Sequence, residues 1–435
     1  MSAQSLGSQL FKMTSPMVMG VLSLMSFQLV DSAFIGQLGV TPLAAQGFTL
    51  PMQMVIIGLQ VGFGVSASVL ISKAIGAGKA LEAREFGGLV TAIGSAVVLL
   101  ACVLIYLFRD GLLDMLGASA DVKPLVDGYW LWWLASAWLG AFLYFLYSLC
   151  RANGNTILPG TMMMVTSLIN MALDPLFIFG LDMGLNGAAI ATCLAFITGI
   201  GIVYVRVQRQ QWLEFHFDAL DLKTALPEMF HIQAPAMLSQ MMPSISALLA
   251  TKLLAGFGST AVAMWALGSR FEFFSIVVVL ALTMSLPPMV SRAWGAGQLD
   301  QVQALVKISL LFVLGWQLLI ACISWLAAGA LAGLMSADTQ VSGLLSQYLS
   351  IVPFSLGALG SCMLLVSVSN ALGKSYSALM ISIVRLFVCY LPCIWLGAQM
   401  ADMEGIFWGA LIGNILAGSF AYVSYRKTLK GLLGG

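Results

Sequence analysis

Long uncharged stretches recur through this sequence, and the first runs from Met13 to Val30. Its 18 residues carry no charge, which is nearly enough for a helix to cross the hydrocarbon core of a bilayer. Asp31 follows before the stretch has ended. A charge at that depth costs roughly 2.5 to 3.5 kcal/mol on insertion scales, so Asp31 is by default a functional-site hypothesis. The simpler alternative is a helix-end aspartate in the headgroup region. Pro16 removes a helical hydrogen bond from the same stretch and predicts a hinge there.

The composition is that of a chain embedded in a membrane. Only 9% of the 435 residues are charged and 60% are hydrophobic, whereas a soluble domain has about 25% charged residues. No basic run is longer than Arg426–Lys427, and we expect no nucleic-acid partner. The seven cysteines form no CxxC pair and no Cys/His cluster, so we expect no metal centre built on them. We predict an all-α membrane protein in contact with the lipid bilayer.

Twelve apolar stretches, separated by short polar or glycine-rich turns, predict twelve transmembrane helices. They lie at residues 13–36, 43–72, 85–108, 124–149, 157–180, 185–207, 227–255, 260–291, 303–331, 340–369, 375–400 and 405–425. The first six form a predicted N-lobe, residues 1–212, and the last six a predicted C-lobe, residues 225–435. Residues 213–224 mix aromatic and charged side chains, which is typical of a linker at the cytoplasmic membrane interface.

The distribution of lysine and arginine predicts the orientation. Thirteen basic residues lie on the N-terminal side or in every second loop, and the opposite loops hold only Arg109 and Lys123. Because basic loops stay in the cytoplasm, we expect both termini there, in a bacterial inner membrane. We also expect a monomer.

The sequence repeats itself after 219 residues. At this shift Pro16 aligns with Pro235, and the turn Lys73–Gly78 aligns with Arg292–Gly297. The repeat contains six spans, an even number, so both halves enter the membrane from the same side. The sequence therefore predicts two pseudo-symmetric six-helix lobes, a plan that recurs among transporters.

Polar side chains on four spans of the first lobe fall at similar depth. Asp31 and Asp174 each lie eight residues from an outer turn, or ~12 Å deep at the helical rise. Thr192 and Tyr129 come out at ~10 and ~9 Å. Asn170 precedes Asp174 by four residues and shares its helix face. Two carboxylates in one poorly solvated pocket disfavour double ionisation, so we expect protonation there to be part of the function.

The second lobe lacks this set of polar residues. Ala250 stands where the repeat would place Asp31. The basic residues within or at the start of spans in this lobe are Lys252, Arg270, Lys307 and Arg385, and Glu272 also lies within a span. We interpret Lys252, Arg270, Glu272 and Arg385 as charge pairs between helices.

These features resemble the multidrug and toxic compound extrusion (MATE) family over essentially the whole chain. The resemblance rests on Pro16 and Asp31 in the first span, the N-x-x-x-D-P motif at residues 170–175 and the paired GAG turns. An acidic site confined to the first lobe resembles the DinF-like branch. The resemblance implies a cation or proton site formed by Asp31, Asn170, Asp174 and Thr192. It also implies a bend at Pro16 and a cavity wall that includes Tyr129 and Gln28.

A member of this family would be a secondary active antiporter and not an enzyme. We expect it to export small amphipathic or cationic compounds in exchange for protons, with no cofactor. Sodium is the alternative ion, because the oxygens of the same four residues suit it. However, residues 232–260 lack the acidic residue that another branch uses for sodium.

Two further classes stay open. A lipid-linked precursor flippase of the same superfamily would use Lys252, Arg270 and Arg385 to anchor a pyrophosphate, but such proteins usually carry two more helices. A non-transporting scaffold or receptor has no need for buried acids at matched depth.

Overall fold

The computed structural model describes residues 3–117 and 122–433, and every regular element within them is a helix. The α-helices are α1 (Ala3–Gln37), α2 (Val40–Gly47), α3 (Leu50–Gly76), α4 (Ala80–Leu107), α5 (Arg109–Met115), α6 (Lys123–Ala152), α7 (Ile157–Pro175), α8 (Gly184–Arg209), α9 (Leu222–Ala255), α10 (Ser259–Ser275), α11 (Val277–Gly295), α12 (Leu299–Leu326), α13 (Ala328–Met335), α14 (Thr339–Ile351), α15 (Leu356–Ala371), α16 (Ser375–Ile383) and α17 (Leu391–Leu433). Two π-helical turns, Leu176–Gly180 and Val384–Tyr390, and a 3₁₀ turn, Val352–Ser355, join some of them. The predicted all-α membrane architecture is confirmed.

Ten helical segments among the described residues are long and apolar enough to cross a membrane, compared with twelve predicted spans. One difference is the run Ser375–Leu432, which non-helical backbone at Ala401 and Asp402 divides in two. The other is α9, which has 34 residues but is interrupted by polar side chains such as Gln240 and Ser244. With these two stretches counted, the helices correspond to the twelve apolar stretches.

The helices pack into two compact units. The first unit comprises Gln9–Met237 with Ser291–Gln298. The second comprises Leu238–Val290 and Leu299–Gly435, with the N-terminal residues up to Ser8, as far as these are described. The division of the chain into an N-lobe and a C-lobe at residues 213–224 stays a prediction.

Within the first unit, two glycines related by the repeat let helix ends approach closely. A Cβ atom on Gly76 would lie 2.1 Å from the carbonyl oxygen of Arg292, and one on Gly295 would lie 2.2 Å from that of Lys73. Only glycine fits at such distances. The paired GAG turns of the sequence therefore pack directly on each other, which explains why Ser291–Gln298 belongs to this unit.

The linker between α8 and α9 has no helix over residues 212–221 and is held by one buried carboxylate. Glu85 of α4 is 1% exposed and accepts hydrogen bonds from the backbone N–H groups of Asp218, Ala219 and Leu220 over 2.7–3.1 Å. Hydrogen bonds to an ionised acceptor are stronger than neutral ones. Glu85 therefore clamps the linker to the first two turns of α4.

The second unit has an aromatic core around Tyr348, whose ring makes edge contacts with Trp265 and Phe407 at 5.7 Å. The Tyr348 hydroxyl donates a hydrogen bond to Glu272 over 3.2 Å. None of the expected charge pairs among Lys252, Arg270, Glu272 and Arg385 is an ion pair within 4 Å between described residues, although Glu272 and Arg385 lie close enough to interact through charge. The carboxylate of Glu272 is directed at a phenol on a neighbouring helix and not at a basic side chain.

Candidate functional site

A cavity of about 650 Å³ lies inside the first unit. Its wall is built from α1, α2, α3, α6, α7 and α8. This volume falls within the range of ligand pockets, roughly 300–1,000 Å³. Four of the predicted site residues line it, namely Gln28, Asp31, Tyr129 and Thr192.

Asp31 presents its carboxylate to this cavity, and the protein gives that carboxylate few hydrogen bonds. Its Oδ2 accepts a long hydrogen bond of 3.4 Å from the amide of Gln46. Its Oδ1 is buried and has no hydrogen-bond partner. Because a buried acceptor without a partner is unfavourable, a cation or a proton at Oδ1 would be stabilising.

Asp174 is the second-last residue of α7 and is fully buried, with Asn170 one turn before it. With the amide nitrogen of Asn170 toward the carboxylate, it donates to Asp174 Oδ2 over 2.7 Å, and the amide oxygen accepts from the Thr192 hydroxyl over 2.8 Å. Three of the four predicted ion-site residues thus form one connected group.

The fourth residue, Asp31, is not hydrogen-bonded to that group. Thr192 is the member that reaches the cavity wall, while Asn170 and Asp174 lie outside the set of lining residues. Pro16 lies inside the continuous helix α1, before Leu24, the first α1 residue that lines the cavity. There α1 approaches α7 so closely that a Cβ on Gly160 would lie 2.4 Å from the Pro16 carbonyl oxygen. The hinge role of Pro16 stays a prediction.

Sequence reasoning missed most of the cavity wall. Besides the predicted Gln28, three further glutamine amides line it, Gln46, Gln53 and Gln60. They recur every seven residues in an otherwise apolar stretch, a spacing that could have revealed them because it is typical of one helix face. The structure places Gln46 on α2 and the other two on α3. The aromatic part of the wall consists of Phe27, Tyr129, Trp133, Tyr144, Tyr147 and Phe196. Among these only Tyr129 was predicted, because aromatic residues are too common in membrane spans for the others to stand out in the sequence.

One family model, MatE, matches the chain twice, at residues 16–176 and 235–396. The two matches start 219 residues apart, at Pro16 and Pro235, which is the interval of the sequence repeat. Together they cover well over half of the chain. The chain belongs to the MatE family. The resemblance to MATE transporters is thereby confirmed, while membership of the DinF-like branch stays a prediction.

Relatives of this MATE transporter align along nearly its whole length. The crystal structure of the Vibrio cholerae MATE transporter VcmN in the bent form shares 59% sequence identity and a TM-score of 0.97, covering 99% of this chain and 98% of VcmN. The FAD transporter of Shewanella oneidensis is 31% identical, covering 96% of this chain and 94% of the relative. The multidrug export protein MepA of Staphylococcus aureus is 24% identical, covering 92% and 89%. The chain is therefore a multi-pass membrane transporter of this family.

Proposed function

We propose that this MATE transporter is a secondary active antiporter that exports amphipathic, cationic compounds in exchange for protons. One observation carries the proposal: Asp31 is the only charged side chain among the described residues that line the cavity. The remaining wall is aromatic, aliphatic, hydroxyl and amide. A flat organic cation would find rings to stack on and one carboxylate to balance its charge. The similarity to MepA supports export of such compounds.

Exchange would follow from competition at one oxygen. Oδ1 of Asp31 has no donor within the protein, so either a cationic substrate or a proton can satisfy it. Ionised Asp31 attracts the cation, whereas protonated Asp31 is neutral and loses that attraction. A proton that arrives from outside would release the substrate, and its departure to the cytoplasm would restore the binding state.

The carboxamide of Asn170 supports a second protonation step, at Asp174. When Asp174 is ionised it needs donors, and the amide nitrogen supplies them at 2.7 and 3.1 Å. When Asp174 is protonated it no longer needs both donors and can itself donate a hydrogen bond. Loss of the proton would therefore restore its hydrogen bonds from Asn170, whose amide oxygen accepts from the Thr192 hydroxyl at the cavity wall.

Sodium is the alternative coupling ion, since the oxygens of Asp31, Asn170, Asp174 and Thr192 are hard ligands that suit it. Proton coupling and sodium coupling can be distinguished by measuring transport into proteoliposomes under a pH gradient or a sodium gradient, each imposed alone. Proton coupling predicts transport under the pH gradient without sodium. Transport that requires the sodium gradient and ignores the pH gradient would overturn it.

Export of a flavin is the second candidate function. The observation in its favour is the similarity over 96% of the chain to a relative named as a FAD transporter. Rings and glutamine amides in the cavity wall suit a flat heteroaromatic ligand with a hydrogen-bonding edge. Ionised Asp31 would repel the phosphates of such a ligand, so this candidate predicts that Asp31→Asn strengthens flavin binding. If the protein exports cations instead, Asp31→Asn should weaken the binding of cationic dyes. A flippase for lipid-linked precursors remains a third reading.

We further propose that the protein is a monomer in the bacterial inner membrane with cytoplasmic termini. The charge distribution between loops supports this orientation. Single cysteines at Ala80 and Gly184, in a cysteine-free background, should be labelled from opposite faces of the membrane. Labelling of both from the same face would contradict the topology.

A further inference from the structure

The second unit contains a cavity of about 220 Å³ that the proposed function does not use. Residues of α9, α10, α15, α17 and the π turn Val384–Tyr390 line it. At roughly 30 Å³ for each water molecule, the cavity has room for about seven waters, or for a small ion with part of its hydration. Its charged lining residues are Glu272 and Arg385.

This cavity is the counterpart of the first one under the sequence repeat. Most of its lining residues align with residues that line the first cavity, at a shift of 219 or, for Asn414, of 218. The pairs that change charge are Ala250 with Asp31, Glu272 with Gln53, and Arg385 with Thr166. The repeat has therefore kept the cavity and altered its chemistry.

Arg385 is the side chain in this wall whose hydrogen bonds are incomplete. It is only 9% exposed, and its Nε–H has no hydrogen-bond partner. A guanidinium carries donors only, so the missing partner must be an acceptor. The π turn also places Tyr390 five residues later, on the same side of the helix, and Tyr390 lines the same cavity.

Glu272 does not supply that acceptor. It forms no ion pair with Arg385, and its carboxylate accepts a hydrogen bond from the Tyr348 hydroxyl instead. The carboxylate is thus partly satisfied, while the Nε–H of Arg385 is not. A cation in this cavity would face Arg385 unfavourably, whereas an anion with several acceptor oxygens would complete its hydrogen bonds.

We infer that the second-unit cavity is a binding site for an oxyanion, a phosphate or carboxylate group held by Arg385. Planar guanidinium groups match both anions with paired hydrogen bonds. Glu272 lies in the same wall and opposes the anion through charge. Removal of the Arg385 charge should therefore abolish binding, and removal of the Glu272 charge should strengthen it.

Trp265 also lines the cavity, so its fluorescence in the purified full-length protein can report binding. The probes are inorganic phosphate, pyrophosphate and acetate, each titrated at constant ionic strength against chloride. A saturable change with phosphate or pyrophosphate identifies a phosphate group as the ligand, and one with acetate identifies a carboxylate. Trp265→Phe should remove the signal.

Matched variants decide the assignment. Arg385→Gln should weaken binding at least tenfold, Arg385→Lys should weaken it less, and Glu272→Gln should tighten it several-fold. Arg206→Gln, which removes an exposed arginine at the end of α8, should keep the parent affinity. No saturable change with any probe, or equal affinity in the parent and Arg385→Gln, would overturn the inference. If Arg385→Gln fails to fold, an unchanged affinity in Glu272→Gln would overturn it instead.

Discussion

Replacing Asp31 by asparagine should separate the charge of this residue from its size. The asparagine side chain would fill the same space and could still accept the 3.4 Å hydrogen bond that Gln46 gives to Asp31. The change removes only the negative charge that faces the cavity. We therefore expect a selective loss of affinity for cationic ligands with little effect on folding.

The magnitude follows from the position of the carboxylate. Two unit charges 4 Å apart interact by about 4 kcal/mol at an effective dielectric constant of about 20 and by about 1 kcal/mol in water. Oδ1 of Asp31 is buried but faces a cavity, so the loss should fall between these limits. At about 1.4 kcal/mol for each factor of ten, a monovalent cation should bind between ~5-fold and ~1,000-fold more weakly.

The assay compares two ligands of similar shape, the cation tetraphenylphosphonium and the neutral triphenylphosphine oxide. Equilibrium binding to the purified protein should weaken for the cation in Asp31→Asn and stay nearly constant for the neutral ligand. Equal losses for both ligands would show that the substitution acts through packing. An unchanged affinity for the cation would refute the electrostatic argument.

Three further variants test the packing described above. Gly76→Ala should lower the stability measured by thermal unfolding by roughly 1–3 kcal/mol, because its Cβ would meet the Arg292 carbonyl. The control Gly111→Ala has open space around it and should not. Equal unfolding midpoints for the two variants would contradict the close contact. Glu85→Gln should release the linker and speed proteolysis within residues 212–221, and an unchanged cleavage rate would discard the clamp. Asn170→Leu should leave the buried carboxylate of Asp174 without donors, which should lower the stability of the protein by about 1–3 kcal/mol. It should also abolish transport driven by a pH gradient. Full transport by this variant would show that the Asn170 amide takes no part in the coupling.

Much of the fold could be predicted because apolar stretches of helical length directly reflect the bilayer. The repeat could also be predicted, since Pro16 and the glycine of the first GAG turn recur at a fixed interval. The contact between Glu85 and the linker could not be predicted, because Glu85 lies over 130 residues from its partners. A carboxylate in the first turns of a cytoplasmic helix also looks like an ordinary solvated group. Long-range backbone hydrogen bonds of this kind have no local sequence signal.

The site was predictable where residues share one helix and unpredictable where they come from several. Asn170 and Asp174 are four residues apart, so their contact follows from helical geometry. Depth estimates placed Asp31 and Thr192 near the same level but could not resolve which contacts each would make. The partner of Asp31 is Gln46, on another helix. Likewise, the charged residues of the second lobe suggested ion pairs. The sequence alone does not show that the Glu272 carboxylate accepts a hydrogen bond from Tyr348 instead.

The central claim, that a proton and a cationic substrate compete for Asp31, can be measured without any membrane. Purified protein in weakly buffered detergent solution is mixed with tetraphenylphosphonium, and released protons are followed with a pH indicator over a range of starting pH. The account predicts proton release that reaches up to one proton for each bound cation at acidic pH and declines as the pH rises. Asp31→Asn should release none from this site. Saturable binding of the cation by the parent protein with no proton release at any pH would contradict the account.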